Sequence, residues 1–201
     1  MKWKRTRHSH RAKQDEAYKQ HKQAQLEALK HVAQLGYIEL MYLDESGCQL
    51  WSPASYSYSR VGGQKCIEQT DRRKGRISIL GLWQPNKSFR YALACGSFNS
   101  ESYIKVIDWI AEQASETLRT TGRMTVIVQD NGSLHTSHLT RQQWQRWLIQ
   151  GLFLFFLPPY CSEMNRIEEQ WHQLKTHEIA GRMFEDEYDE RPGNHGWNAS
   201  S

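Results

Sequence analysis

Met124-Thr-Val-Ile-Val128 runs apolar up to Asp130, and Tyr37-Ile-Glu-Leu-Met-Tyr-Leu43 runs mostly apolar up to Asp44. Both read as buried strands, and continuous apolar runs of this kind suit central, parallel strands covered on both faces. Working outward, 76–83 and 89–95 flank Pro85-Asn86-Lys87 and read as a hairpin pair. The Ser-, Gly- and Tyr-rich stretch 46–75 reads as loops and edge strands. Asn99 or Ser100 can cap a helix to about Leu118, with Ile104, Ile107, Ile110 and Ala111 facing inward. Residues 136–149 give another helix. Gly151 to Leu157 gives a further buried strand, closed by Pro158 and Pro159. A final helix is expected to begin between Glu163 and Ile167 and to run past Leu174. Ahead of all these, 11–35 reads as an amphipathic helix with Leu26, Leu29, Val32 and Ala33 on one face and Gly36 as its stop. Antiparallel strands followed by alternating helices and strands imply an α/β fold, a mixed sheet with helices packed against it.

The chain has 201 residues, 38% hydrophobic and 24% charged, enough for one domain with a core and an appendage or two. Its mean hydropathy of −0.77 argues against a membrane-embedded protein. The longest apolar run, Leu152 to Leu157, is far short of the roughly 20 residues a spanning helix needs. The basic start has no apolar stretch behind it and does not read as a secretory signal. Cys48, Cys66, Cys95 and Cys161 form no CxxC pair, which speaks against a zinc module or disulfide scaffold and suits a reduced cytosol. Charge is uneven. Residues 1–36 carry nine Lys and Arg against three acids, whereas 178–190 carry six acids against Arg182 alone. A basic front end fits either a polyanion partner or a solvated helix face. The tail from Arg191, with Pro192, two glycines and two asparagines, reads as disordered. It lacks an apolar stripe, so one face of the sheet is expected to be partly uncovered.

Both central runs end at an aspartate, Asp44 and Asp130. Ligand and catalytic groups gather beyond the carboxyl ends of such strands. Two aspartates brought together there repel one another, and a divalent cation relieves the repulsion. A third acid is available in Asn165-Arg-Ile-Glu-Glu-Gln-Trp171. Ile167, Trp171 and Leu174 form the buried stripe of that helix. Glu168 borders the stripe near the helix start, and Glu169 lies a further 100° round. Three such carboxylates can hold two Mg²⁺, an ion that favours oxygen ligands. Paired metals activate a water or hydroxyl and stabilise the leaving oxygen in phosphoryl transfer. The competing reading is that acids after strands serve as turn formers or helix caps, and spacing alone does not exclude it.

Leu43-Asp44-Glu45-Ser46-Gly47, then Val128-Gln-Asp130-Asn-Gly-Ser-Leu-His135, then Leu157-Pro-Pro-Tyr160-Cys-Ser-Glu163-Met-Asn165-Arg-Ile-Glu168-Glu-Gln-Trp171 occur in that order. Together they resemble the catalytic domain of bacterial insertion-sequence transposases of the mariner superfamily, the DDE endonucleases. The resemblance covers roughly 37–187, and its third motif is the most specific. It implies an RNase H-like mixed five-stranded sheet with helices on both faces, preceded by an N-terminal helix. It also implies metal-dependent DNA cleavage and strand transfer in transposition. Asp44, Asp130 and Glu168 match the family's metal-binding triad, for two Mg²⁺ with Mn²⁺ as a substitute. Two departures stand out. Arg166 occupies the place where the family usually has proline, and 37 residues (131–167) separate the last two acids. The implied organisation is a basic helical extension at 1–36, the catalytic domain at 37–187 and an atypical disordered tail at 188–201.

Around this triad, Asn131 and His135 are candidates to touch DNA or orient a ligand, set against a plain surface histidine at a helix start. Arg72, Arg73, Lys74 and Arg76 make a basic loop suited to phosphates or to solvent. Glu45 is expected to point away from Asp44. Cys161 is expected to be inert, since a pairing with His172 has no orienting partner. The implied partner is double-stranded DNA, both element ends and target, in the bacterial cytoplasm at the nucleoid. Helix-turn-helix modules from an upstream frame and a second copy of the chain are further implied partners. Two rival readings share the triad or the fold: an RNase H-like nuclease without transposition, and an inactive transposase remnant that only binds DNA.

Overall fold

The computed structural model describes residues 14–49, 76–173 and 197–198. The described elements are α1 (Glu16–Gln34), β1 (Ile38–Gln49), β2 (Arg76–Gln84), β3 (Ser88–Cys95), α2 (Ser100–Thr121), β4 (Met124–Gln129), α3 (His138–Ile149), β5 (Leu152–Phe156), α4 (Glu168–Gln173) and β6 (Trp197–Asn198). The strands form one mixed sheet in the order β5-β4-β1-β2-β3-β6. β1 pairs parallel to β4, and β4 parallel to β5. β2 and β3 run antiparallel as the expected hairpin. The five expected strands are therefore present, with the two-residue β6 added parallel to β3. Of the expected disordered tail only Trp197 and Asn198 are described, as this strand. Most of the Ser- and Gly-rich loop, with Arg72, Arg73 and Lys74, lies outside the described residues, as does Leu174.

Alternation along the strands sends side chains to two separate cores. Leu40 and Tyr42 of β1, Val126 and Val128 of β4, Ile79 and Trp83 of β2 and Phe155 of β5 join Leu26 of α1 and Ile167 and Trp171 on one face. Met41, Leu43, Leu80, Leu82, Ile127 and Leu152 join α2 and α3 on the other. Toward β3 the first face thins, and Phe89, Tyr91 and Leu93 are only partly buried.

α1 starts at the N-cap Asp15, whose carboxylate accepts the Tyr18 N–H at 3.1 Å. Leu26 is only 2% exposed, so this helix packs into the core. α2 begins at a reciprocal cap between Asn99 and Ser102 and ends at Gly122, whose φ of 71° is a conformation glycine adopts without strain. Val106, Ile107, Ile110, Ala111 and Ala114 line its buried stripe. The buried Trp147 ties α3 to α2 by donating from Nε1 to Asp108 Oδ1 at 2.6 Å.

Two expectations need correction. β1 does not stop at Asp44. Its pairing with β4 ends at Tyr42–Val128, but its ladder with β2 continues to Gln49–Arg76. Asp44 therefore stands inside a strand, at the point where β4 has turned away. β5 is an edge strand, and Phe153 is 42% exposed, so that run is not buried on both faces. No described helix is long and apolar enough to cross a membrane.

Candidate active site

Asp44 lies on the α1 face of β1, in line with Tyr42, and opposite Gly81 of β2. Asp130 is the first residue past β4. Glu168 opens α4. Two parallel strands and one helix start thus bring the three acids to the same end of the sheet.

Asp44 is half-buried. Its Oδ2 accepts the Trp171 indole N–H at 2.9 Å. Burial pushes its carboxyl up to about 6, against the lowering effect of the Trp171 and Glu45 N–H groups, and the negative charges of Asp130 and Glu168 add to the rise. Those charges reach Asp44, so the three acids share one electrostatic environment.

Asp130 differs. Its Oδ1 accepts the Gly132 backbone N–H at 3.1 Å and meets His135 Nδ1 at 2.6 Å. The His135 bond holds the Asp130 carboxyl below its usual range despite partial burial. His135 is 4% exposed and stacks on Tyr103 at 4.9 Å between ring centroids. Behind it, the buried Tyr103 hydroxyl donates to Gln129 Oε1 at 2.7 Å. His135 is therefore a buried residue bonded to Asp130 and not a surface histidine. Its neighbour Asn131 is exposed.

Glu168 is exposed. Asn165 fixes the helix that carries it. This residue is 3% exposed, donates from Nδ2 to the Leu43 carbonyl at 2.9 Å, and accepts the Ile167 N–H on Oδ1 at 3.4 Å. One side chain thus ties the residue before Asp44 to the turn before Glu168. The other acids of this region do not converge. Glu163 bonds Lys19 of α1 at 2.7 Å, and Glu45 alternates to the opposite face of β1. Cys161 is buried, which raises its thiol pKa and disfavours the thiolate. Arg166 is exposed, with its guanidinium over the Trp83 ring at 5.4 Å.

Among the described residues, no three His, Cys, Asp or Glu side chains are drawn together tightly enough to hold an ion as they stand. The donor chemistry nonetheless fits a hard divalent cation: three carboxylates, no sulfur, and a central aspartate whose ionised form is disfavoured by burial, with its neighbours' charges adding to it. Glu168 is exposed at the first residue of α4.

A family model described as DDE superfamily endonuclease matches residues 39–189. The chain is a member of the DDE endonuclease superfamily. The match begins one residue into β1 and takes in all three acids of this DDE endonuclease. In structure it is similar to the Mos1 mariner transposase paired-end complex with Mn, at TM-score 0.66 and 14% identity, covering 93% of this chain and 56% of that one. It is likewise similar to the Mos1 strand transfer complex, at 0.60 and 15%, covering 94% and 56%. The Mos1 catalytic domain alone gives 0.58 and 12%, covering 87% and 77%. These likenesses establish the RNase H-like fold, and the DDE endonuclease spans 56% of the length of the first two. No curated protein matches it by sequence.

Asn165 and Gly81 had no assigned role in the sequence, and Trp171 only one in the buried stripe of the last helix. Asn165 and Trp171 were visible as motif residues, but only the fold shows that their polar atoms reach back to β1. Arg76 opens β2 opposite Gln49; its three basic neighbours lie outside the described residues.

Proposed function

We propose that this chain is a transposase catalytic domain that cleaves DNA phosphodiesters and transfers the resulting strand, with Asp44, Asp130 and Glu168 as its metal-binding carboxylates. The observation that carries the reading is that Asp130 and Glu168, from two other elements, both act by their charge on the half-buried Asp44 carboxyl. Among the similar structures are Mos1 mariner paired-end complexes with Mn and with Mg, which supports divalent ions at this site, two Mg²⁺ with Mn²⁺ as a substitute. Bound there, the cations supply Lewis-acid activation of water or a 3′-hydroxyl and neutralise charge on the leaving oxygen.

The protein's own part is orientation. His135 and the Gly132 N–H both engage Oδ1 of Asp130, so that carboxylate is held before any ligand arrives. Asn165 keeps the start of α4 against β1. Exposed Asn131, beside Asp130, is assigned to DNA contact, and the Arg72, Arg73, Lys74 and Arg76 loop to phosphates. Helix-turn-helix modules that read element ends, and pairing of two copies, belong to the same proposal.

The test is nicking of supercoiled DNA in Mg²⁺ or Mn²⁺, followed by joining of a pre-cleaved end to a target. Wild type should nick and join. Asp130→Asn removes a charged ligand at nearly constant shape, so it should lose both activities by at least about 10²-fold while remaining folded. Nicking without joining would reduce the reading to a nuclease. Cleavage that persists in Asp130→Asn would remove the triad.

A further inference from the structure

The structure gives Trp171 a task that core packing does not explain. Along β2, Ile79 and Trp83 send large buried side chains to the α1 face, and Gly81 between them sends none. A Cβ at Gly81 would lie 2.6 Å from Trp171 Cη2 and 2.8 Å from Cζ2, with Phe89 Cε2 at 3.1 Å. The missing side chain leaves a slot one residue wide, and the far edge of the indole fills it. Phe89 meets that ring edge-on at 5.6 Å and 85°. Gly81 is also the residue paired across the ladder with Asp44. Seating the indole over Gly81 therefore places its N–H beside the aspartate, and Nε1 donates to Asp44 Oδ2 at 2.9 Å. A bond from a buried donor to a carboxylate is among the stronger kinds. The same helix carries Glu168 one turn earlier, so this bond links the two acids' elements directly.

We propose that Trp171 is a positioning residue: seated in the Gly81 slot, its indole N–H fixes the Asp44 carboxylate and so sets the affinity of the site for a divalent cation. This rests on the carboxylate reading above. Outer hydrogen bonds to ligating carboxylates typically change metal affinity by about 10- to 100-fold. A Trp171 that only packed would change stability and leave affinity alone.

The experiment measures Mn²⁺ binding to the DNA-free chain by the electron paramagnetic resonance signal of unbound Mn²⁺, with folding checked by circular dichroism. Trp171→Phe keeps an aromatic ring but lacks the donor, and should weaken Mn²⁺ by about 10- to 100-fold. Gly81→Ala keeps the donor but pushes the indole out of its seat, and should also weaken binding. The double variant should bind no more weakly than Trp171→Phe, because the shorter Phe ring carries neither atom that the new methyl would strike and both changes remove one bond. In wild type, the Trp171 indole N–H resonance, assigned by its absence from Trp171→Phe, should move on Mg²⁺ addition.

If Trp171→Phe melts at a lower temperature but binds Mn²⁺ like wild type, the positioning role is wrong and the residue is core alone. Penalties that add in the double variant would likewise overturn it. If Trp171→Phe does not fold, Gly81→Ala carries the test, and wild-type affinity in that variant overturns the proposal. If wild type binds Mn²⁺ no better than Asp130→Asn, the carboxylate reading fails first and takes this one with it.

Discussion

Asp44→Asn should stabilise the metal-free protein at neutral pH while abolishing its proposed chemistry. The Asp44 carboxyl titrates near 6 in the fold, raised by burial and by the charges of Asp130 and Glu168, against an ordinary value of 3.8. A raised carboxyl means that the folded state holds the proton more tightly than the unfolded chain does. The relative stability is therefore fully present below about pH 3.8 and is lost as pH rises through about 6. About two pH units at 1.36 kcal/mol each give a penalty of up to about 3 kcal/mol at pH 8. Asparagine has no charge to desolvate, and its side-chain oxygen can still accept the Trp171 indole. In excess chelator at pH 8, the variant should thus be about 2–3 kcal/mol more stable than wild type, which is about 5–10 °C in melting temperature for a chain of this size. Urea and thermal melts by circular dichroism, run from pH 4 to 8, measure this directly. The gap should close as the pH falls. A variant equal to or less stable than wild type at pH 8, or a gap that does not change with pH, would refute the argument that burial, with the charges of Asp130 and Glu168 added, disfavours the ionised Asp44 carboxylate.

Three further outcomes follow from named contacts. Asn165→Ala takes a donor from the Leu43 carbonyl and a cap from α4; it should cost about 1–3 kcal/mol in a urea melt and lower nicking more than that loss of folded protein explains. Leu26→Ala should cost about 2–5 kcal/mol, because the side chain is 2% exposed among Leu40, Tyr42 and Val126; a loss under about 1 kcal/mol would mean that α1 is dispensable. Binding to duplex DNA should be weak, with little sequence preference and a steep fall with salt, as phosphate contacts require; a strong preference for particular ends that survives high salt would show that this domain reads sequence.

How much of this was legible depended on whether the signal was local. The β2–β3 hairpin was readable because Pro85-Asn86-Lys87 sits between two apolar runs, and Asn86 takes the positive φ of 61° that such turns use. The Asn99 cap and the stripe of α2 were readable for the same reason. The length of β1 was not. Residues beyond Asp44 are polar and small, and they stay extended only because β2 supplies a ladder partner. β5 misled in the opposite sense: five apolar residues suggested full burial, but position in a sheet is not written in a strand's own sequence. His135 reads in the sequence as a DNA or ligand contact or as a plain surface histidine because its neighbours are polar, whereas in the fold it stacks on Tyr103, thirty-two positions earlier.

The third motif shows why a short stretch can be so specific. The described start of α4, Glu168–Gln173, is tied to the sheet by three residues of the motif. Asn165 holds the approach by bonding β1, Ile167 enters the core with no exposed surface, and Trp171 reaches Asp44 over Gly81. Of the residues between Asn165 and Trp171 whose side chains are described, Arg166 and Glu168 are the exposed ones. The buried positions of the motif thus fix a distance between β1 and α4. Glu168 is left exposed at the helix start. The expected proline at 166 is dispensable on this account. A proline would only pre-set the backbone for helix entry, and Asn165 already does that by accepting the Ile167 N–H. Arg166 can therefore spend its side chain elsewhere, over the ring of Trp83.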